Sequence, residues 1–217
     1  MDFKHIIWDF DGTLFDTYPH TARAFQVTLK REYGVQENLG EIESQMRISM
    51  QTAFDFYKEK YETDDYFCKS FKEFQIIYEN QNALPHINAH MICRFIHEQE
   101  AFNYLFTHRD KSVVSLMQKH GFYELFREII TKENGFPRKP APDGLNQLIK
   151  KYKMNKNETL YIGDREIDLK CAERAGVRFC LFARDINFTL NADFRVQNFS
   201  DLYYIINSTL STRKKQH

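Results

Sequence analysis

Residues 6–17 read IIWDFDGTLFDT: an apolar run, then Asp9 and Asp11 two apart, a glycine, and a third carboxylate at Asp16. The apolar part predicts a buried strand over His5–Phe10. In an extended segment residues i and i+2 point the same way, so Asp9 and Asp11 leave that strand together. Two like charges held this close repel each other unless something positive joins them. Gly12 then permits the sharp turn that lets backbone amides approach a ligand.

Downstream, strand-like and helix-like segments alternate, the pattern of a parallel sheet covered by helices. Further strands are predicted over Phe102–Phe106, Arg127–Ile130, Thr159–Ile162 and Val177–Phe182, with a short one at Phe194–Val196. Helices are predicted over about 110–120 and 167–175, closed by Gly121 and Gly176. Between the first two strands only helical periodicity appears. Pro19 suits the first turn of a helix and Gly34 its end, with Ala22, Phe25 and Leu29 on one face. Amphipathic stretches continue over Leu39–Tyr61 and Tyr66–Tyr78. A crossover of this length exceeds a single βαβ connection. The expected fold class is α/β: a parallel-sheet core from residues 1–15 and 85–217, with an all-helical cap, residues 16–84, inserted after the first strand.

Ligands bind such sheets in the crevice at the carboxyl ends of the strands. A second acidic pair, Asp164 and Asp168, follows the Thr159–Ile162 strand in YIGDREID, behind Gly163. Four carboxylates converging on one crevice require a cation, and oxygen-only ligands suit a hard one, so Mg²⁺ is expected. Lys139, in RKPAPDG, brings positive charge on a loop stiffened by Pro140 and Pro142. Thr107 ends its strand in YLFTHRD and offers a hydroxyl beside backbone amides. Singly, each element is a common turn, strand end or loop. Together, in order and each at the carboxyl end of its own strand, they form one constellation.

That constellation, DFDGTLFDT with LFTHRD, RKPAPDGL and GDREID, resembles the haloacid dehalogenase-like hydrolase superfamily, in its phosphoglycolate-phosphatase-like branch with a small helical cap. The resemblance runs through essentially the whole chain, to NADFRVQNFSDL. It implies a Rossmann-like core and Mg²⁺-dependent phosphoryl transfer through an aspartyl-phosphate. Carried over residue by residue, Asp9 is the nucleophile, and Asp11 is the general acid and then the base. Asp9, the backbone carbonyl of Asp11, and Asp164 hold Mg²⁺. Asp168 supports the metal's water shell or Lys139, while Thr107 and Lys139 bind phosphoryl oxygens. Electrostatics agree with these roles. A phosphate approaching an anionic nucleophile is repelled by about 4 kcal/mol per unit charge pair at ~4 Å and an effective dielectric of ~20. Asp11 argues for phosphate esters, because a departing halide needs no proton and the dehalogenases lack this aspartate. Its neighbouring carboxylates are expected to keep Asp11 protonated at neutral pH.

Two other readings share these residues. Phosphosugar mutases of the β-phosphoglucomutase kind place a cap histidine five positions after the aspartate matching Asp16; here His20 is the fourth and Thr21 the fifth. A non-catalytic phosphate-binding or regulatory domain, such as a receiver, also combines an acidic pocket with a distant lysine, in a shorter chain without a cap. His86, His90, Cys93 and His97 recur at helical spacing and invite a zinc reading. With Ile87, Met91, Ile92, Phe95 and Ile96 opposite, a polar face turned to solvent accounts for them. His108 borders the crevice and either contacts substrate or finishes its strand. Arg47, in QMRISM, either meets an anionic leaving group or faces solvent. The expected substrate is a small phosphorylated metabolite chosen by the cap, which is expected to close as a lid. Pro85 marks the return hinge, with His86 after it where the branch commonly has glycine.

Thirty basic residues balance thirty acidic ones among 217, so the chain carries no electrostatic footprint for nucleic acid or an anionic membrane. Arg213, Lys214 and Lys215 read as a solvated tail. Hydrophobic residues make up 42% and charged residues 28%, the range of a globular protein with a packed core. No stretch approaches the ~18 apolar residues of a membrane span. Asp2, His5, Asp9 and Asp11 interrupt any signal-peptide pattern. Cys68, Cys93, Cys171 and Cys180 lack CxxC spacing and read as reduced thiols, which makes the cytoplasm the expected compartment.

Overall fold

A computed structural model of the protein describes residues 3–183 and 190–210, apart from the side chains of residues 80 and 208–210. Asp2 and the basic run Arg213 to Lys215 lie outside the described residues. The chain forms two compact units, Met1–Leu14 with Pro85–His217, and Phe15–Leu84.

The first unit is built on a sheet. Its opening strand β1 (His5–Trp8) is buried along its whole length, as a strand covered on both faces must be. After the insert come α5 (Ala89–Glu98), β4 (Phe102–Phe106), α6 (Ser112–Lys119) and β5 (Phe126–Ile130). Then follow α7 (Asp143–Tyr152), β6 (Thr159–Gly163), α8 (Glu166–Ala175), β7 (Arg178–Phe182), β8 (Phe194–Val196) and α9 (Phe199–Leu210). The insert holds α1 (Tyr18–Tyr33), α2 (Leu39–Ile48), α3 (Met50–Tyr61) and α4 (Asp65–Asn82), and it is not purely helical as expected, because the two-residue strands β2 (Phe15–Asp16) and β3 (Leu84–Pro85) pair where it begins and ends. The six-stranded sheet has the order β5-β4-β1-β6-β7-β8, and every adjacent pair is parallel. This is the helix-covered parallel sheet that the alternation predicts and the Rossmann-like core that the resemblance implies.

Topology and register together position the site. From β1 the chain proceeds to β4 and β5 on one side, and from β6 to β7 and β8 on the other. The connections therefore part beside β1, where such sheets open a crevice. Trp8 pairs with Leu105 and Ile162, so β1, β4 and β6 end nearly level and Asp9, Thr107 and Asp164 emerge side by side. A buried polar link steadies this centre. Trp8 Nε1 donates to Asn103 Oδ1 at 3.0 Å, and the Asn103 amide donates to the carbonyls of Cys93 and Leu125. Phe106, Ile130, Leu145, Leu148, Tyr161 and Phe179 share one apolar cluster with Ile7.

Three local expectations are corrected. Helix α5 begins at Ala89, so His86 lies outside it, and its buried stripe is Ala89, Ile92, Cys93 and Ile96. Cys93 is fully buried while Ile87 and Met91 are 86% and 54% exposed. Cys93 thus leaves the expected polar face, because the thiol packs as a small apolar group, while His97 stays exposed. Leu39–Tyr61 is two helices. Ser49 breaks it with extended backbone (φ −167, ψ 157), and its hydroxyl accepts the Thr52 N–H, the geometry of an N-cap. Helices α7 and α9 also form where no helix was expected; Pro142, one residue before α7, suits a helix start as well as a loop.

The inserted unit, α1–α4, packs around Phe25, whose ring lies 5.1, 4.8 and 5.3 Å (centroid to centroid) from Tyr57, Phe67 and Phe71. Such offset and edge contacts add to simple area burial. Within it the Glu37 carboxylate accepts from Lys60 and from the Tyr61 hydroxyl. No helix among the described residues is long and apolar enough to cross a membrane.

Candidate active site

Asp9 follows β1 and is 2% exposed. Its backbone N–H donates to Ile162 O at 2.9 Å, which extends the ladder by one residue and pins the nucleophile candidate to the carboxyl end of a central strand. Gly12 turns the chain with a φ of +76, a conformation that favours glycine. Lys139, with a fully buried side chain, reaches between two carboxylates. Its Nζ lies 2.5 Å from Asp9 Oδ1 and 2.8 Å from Asp168 Oδ1. Asp168 also accepts from the Tyr161 hydroxyl at 2.7 Å and from the Arg165 N–H at 3.3 Å. It sits against Gly163, where a Cβ would come within 2.6 Å of its own Cβ; only glycine allows that approach.

Burial pushes the Asp9 carboxyl up to about 6, against the opposing pull of Lys139. Burial acts on Asp168 in the same direction, but Lys139, Arg165 and the hydrogen bonds from Lys139 and Tyr161 outweigh it and hold this carboxyl below its ordinary range. Burial disfavours the ammonium of Lys139, yet Asp168 and Asp9 together keep its pKa raised. The buried trio is therefore a cation between two carboxylates, one with its pKa raised by burial and the other with its pKa lowered by Lys139 and Arg165.

Carboxylate oxygens of Asp9, Asp164 and Asp168 lie within 4.8 Å of one another, the grouping of three potential metal ligands found among the described residues. His86, His90, Cys93 and His97 form no such group there. Asp9 Oδ2 is buried without a hydrogen-bond partner, which is costly unless a cation satisfies it. An all-oxygen set fits Mg²⁺. Asp168 already spends its oxygens on Lys139, Tyr161 and Arg165, whereas Asp9 keeps Oδ2 for a cation.

The Asp11 carboxylate is not in that grouping: its Oδ1 accepts from Arg109 Nη1 at 2.7 Å. A guanidinium thus orients it, and the charge of Asp11 is felt by the Asp9 carboxyl. Thr107 is 2% exposed, and its hydroxyl accepts the Arg109 N–H at 3.1 Å. His108 Nε2 accepts the backbone N–H of Lys139 at 2.7 Å. Burial, then Lys139 and Arg138, push its pKa down to about 3, so the ring is neutral and acts as an acceptor. The Lys139 loop is held from the other side by Arg174, donating to Pro140 O, and by Cys171 Sγ, donating to Ala141 O. Arg47 lies on α2 of the inserted unit. It pairs with Glu43 and lies 4.4 Å over the Tyr18 ring.

Sequence reasoning missed Arg109, Tyr161 and the loop clamp by Cys171 and Arg174. Arg109 and Tyr161 lie inside the quoted motifs LFTHRD and YIGDREID, two positions after Thr107 and three before Asp164. Their position was visible there but their partners were not. The clamp carried no local signal.

A parallel sheet with this acidic, lysine-bridged crevice at its switch point matches a known class. The profile of the haloacid dehalogenase-like hydrolases covers residues 6–182, so the chain belongs to that family. It is 25% identical over 196 residues to a phosphoglycolate phosphatase of Aliivibrio fischeri, covering 81% of this chain and 82% of that one. It is 24% identical over 220 residues to pyrophosphatase PpaX of Oceanobacillus iheyensis, covering 97% and 100%. In fold it resembles a predicted phosphoglycolate phosphatase from Haemophilus somnus, with a TM-score of 0.81 at 21% identity over 94% of this chain and 98% of that one.

Proposed function

We propose that the protein is a Mg²⁺-dependent phosphatase that hydrolyses a small phosphorylated metabolite through an aspartyl-phosphate on Asp9. The observation that carries this reading is the buried Asp9–Lys139–Asp168 trio with Asp164 beside it. The same reaction class appears in the names of the two relatives. Asp9, Asp164 and the backbone carbonyl of Asp11 would hold Mg²⁺, which when bound neutralises charge on the transferring group.

The chain's own residues supply the rest. Lys139 opposes the rise that burial imposes on the Asp9 carboxyl and so favours the ionised form that attacks. Lys139, anchored by Asp168, offsets the repulsion between that carboxylate and the incoming phosphoryl oxygens. Thr107 offers its hydroxyl to the same oxygens. An Asp9 oxygen bonds to phosphorus as the bond to the ester oxygen breaks, and Asp11 gives the leaving oxygen its proton. Asp11 then takes a proton from the attacking water, phosphate departs, and Asp9 is regenerated. His108 acts through the Lys139 backbone and need not touch substrate. Choice of leaving group is assigned to the inserted helical unit, with Arg47 as a candidate contact. Arg47→Ala should alter the ranking of esters, and equal loss on all of them would remove that role.

The decisive experiment is phosphate release by the purified chain with Mg²⁺ from phosphoglycolate, pyrophosphate, sugar phosphates, nucleotides and pyridoxal phosphate. Release from at least one ester is the expected result. No release from any would overturn the reading, and isomerised sugar phosphate without free phosphate would favour the mutase.

A further inference from the structure

Arg109 has no role in the scheme above, yet it is firmly placed. Its Nη1 lies 2.7 Å from Asp11 Oδ1, a contact across 98 positions of sequence. Its side chain is 12% exposed and that of Asp11 30%, so the pair is shielded from much of the solvent screening that weakens surface ion pairs. Both backbone groups of Arg109 are tied. The N–H donates to Thr107 Oγ1 at 3.1 Å, and the carbonyl accepts the Lys132 N–H at 2.8 Å. The guanidinium carbon stands 5.4 Å over the ring of Phe10, the residue between the two aspartates. An arginine fixed at backbone and head has little freedom left, and its planar, directional donors pass that order to the carboxylate they hold.

Resting on the phosphatase reading, we propose that Arg109 is a positioning residue that fixes the direction of the Asp11 carboxylate for proton exchange with the reacting oxygen. Asp11 emerges at a turn whose next residue is Gly12, and Arg109 reaches its carboxylate from the end of another strand. Displacement of a catalytic group by about 1 Å can cost on the order of 100-fold in rate. A guanidinium that bound phosphoryl oxygens directly would instead contribute mainly to substrate affinity.

A double-mutant cycle on the full chain with Mg²⁺ separates these roles, using whichever ester the wild type hydrolyses best. Arg109→Ala should lower kcat by about 10- to 100-fold with KM changed less than about threefold. Arg109→Lys should recover part of the loss. In the Asp11→Asn background, removing Arg109 should cost less than about a further threefold, because the group it positions has lost its function. Losses that multiply, a KM that rises about tenfold with kcat retained, or a kcat that does not change would each overturn the proposal. If Arg109→Ala fails to fold, Arg109→Gln runs the same cycle. An inert wild type would instead refute the phosphatase reading, and the proposal with it. Additive losses in an active enzyme refute the proposal alone.

Discussion

Replacing Lys139 by methionine removes an ammonium that lies 2.5 Å from Asp9 and 2.8 Å from Asp168 with no exposed side-chain surface. Unit charges at such separations attract by about 6 kcal/mol at an effective dielectric of ~20. Desolvation offsets part of this. Removing one partner of a buried pair costs about 3–5 kcal/mol because the other charge is stranded. For a chain of this size that corresponds to a fall in Tm of roughly 6–20 °C. The loss should depend on pH, with a definite sign. Burial already pushes the Asp9 carboxyl up to about 6 against the pull of Lys139; without the lysine it rises further. Between the ordinary carboxyl range and that raised value, the folded protein holds a proton that the unfolded chain has released. Stability then increases as pH falls through that window. Thermal melts of wild type and Lys139→Met, in EDTA at pH 7.5 and pH 5, test this. The expected result is a large deficit at pH 7.5 that shrinks at pH 5, and a smaller deficit at pH 7.5 when Asp9→Asn is added to Lys139→Met. A deficit under about 2 °C at pH 7.5, or one equal at both pH values, would refute the reasoning.

Asp9→Asn should reduce turnover to background in a protein that still folds, and Asp11→Asn should lower kcat by about 10² to 10⁴; a folded Asp9→Asn with near wild-type kcat would sink the nucleophile assignment. His108→Ala should lower kcat by loosening the Lys139 loop and leaving the Lys139 N–H without its acceptor, at a cost of about 1–3 kcal/mol. His108→Gln, which keeps an acceptor, should recover much of it, and equal loss in both variants would argue for a direct contact with substrate. Dialysis against EDTA should abolish phosphate release, Mg²⁺ should restore it, and Ca²⁺ should bind yet inhibit because its looser geometry misplaces the ligands. Full activity in excess EDTA would count against a metal requirement.

The sequence alone carried the class of fold and the order of the motifs, because both are written in short-range pattern. IIWDFDG shows a buried strand ending in carboxylates, and GDREID shows a strand-to-helix turn with two more. The register that levels Trp8 with Leu105 and Ile162 follows once those strands pair. Local pattern was less reliable where one residue decides. Ser49 reads as an ordinary helical residue until its hydroxyl caps a new helix, and Cys93 reads as polar until α5 turns it inward. The partners of the site residues were decided by tertiary structure. Lys139 meets Asp9 across 130 positions and Asp168 across 29, Arg109 meets Asp11 across 98, and His108 holds the Lys139 backbone across 31. Periodicity constrains only neighbours within a turn or a strand. A carboxylate's choice between a lysine, an arginine and a metal depends on burial and on distances that exist only once the sheet has brought its strand ends together.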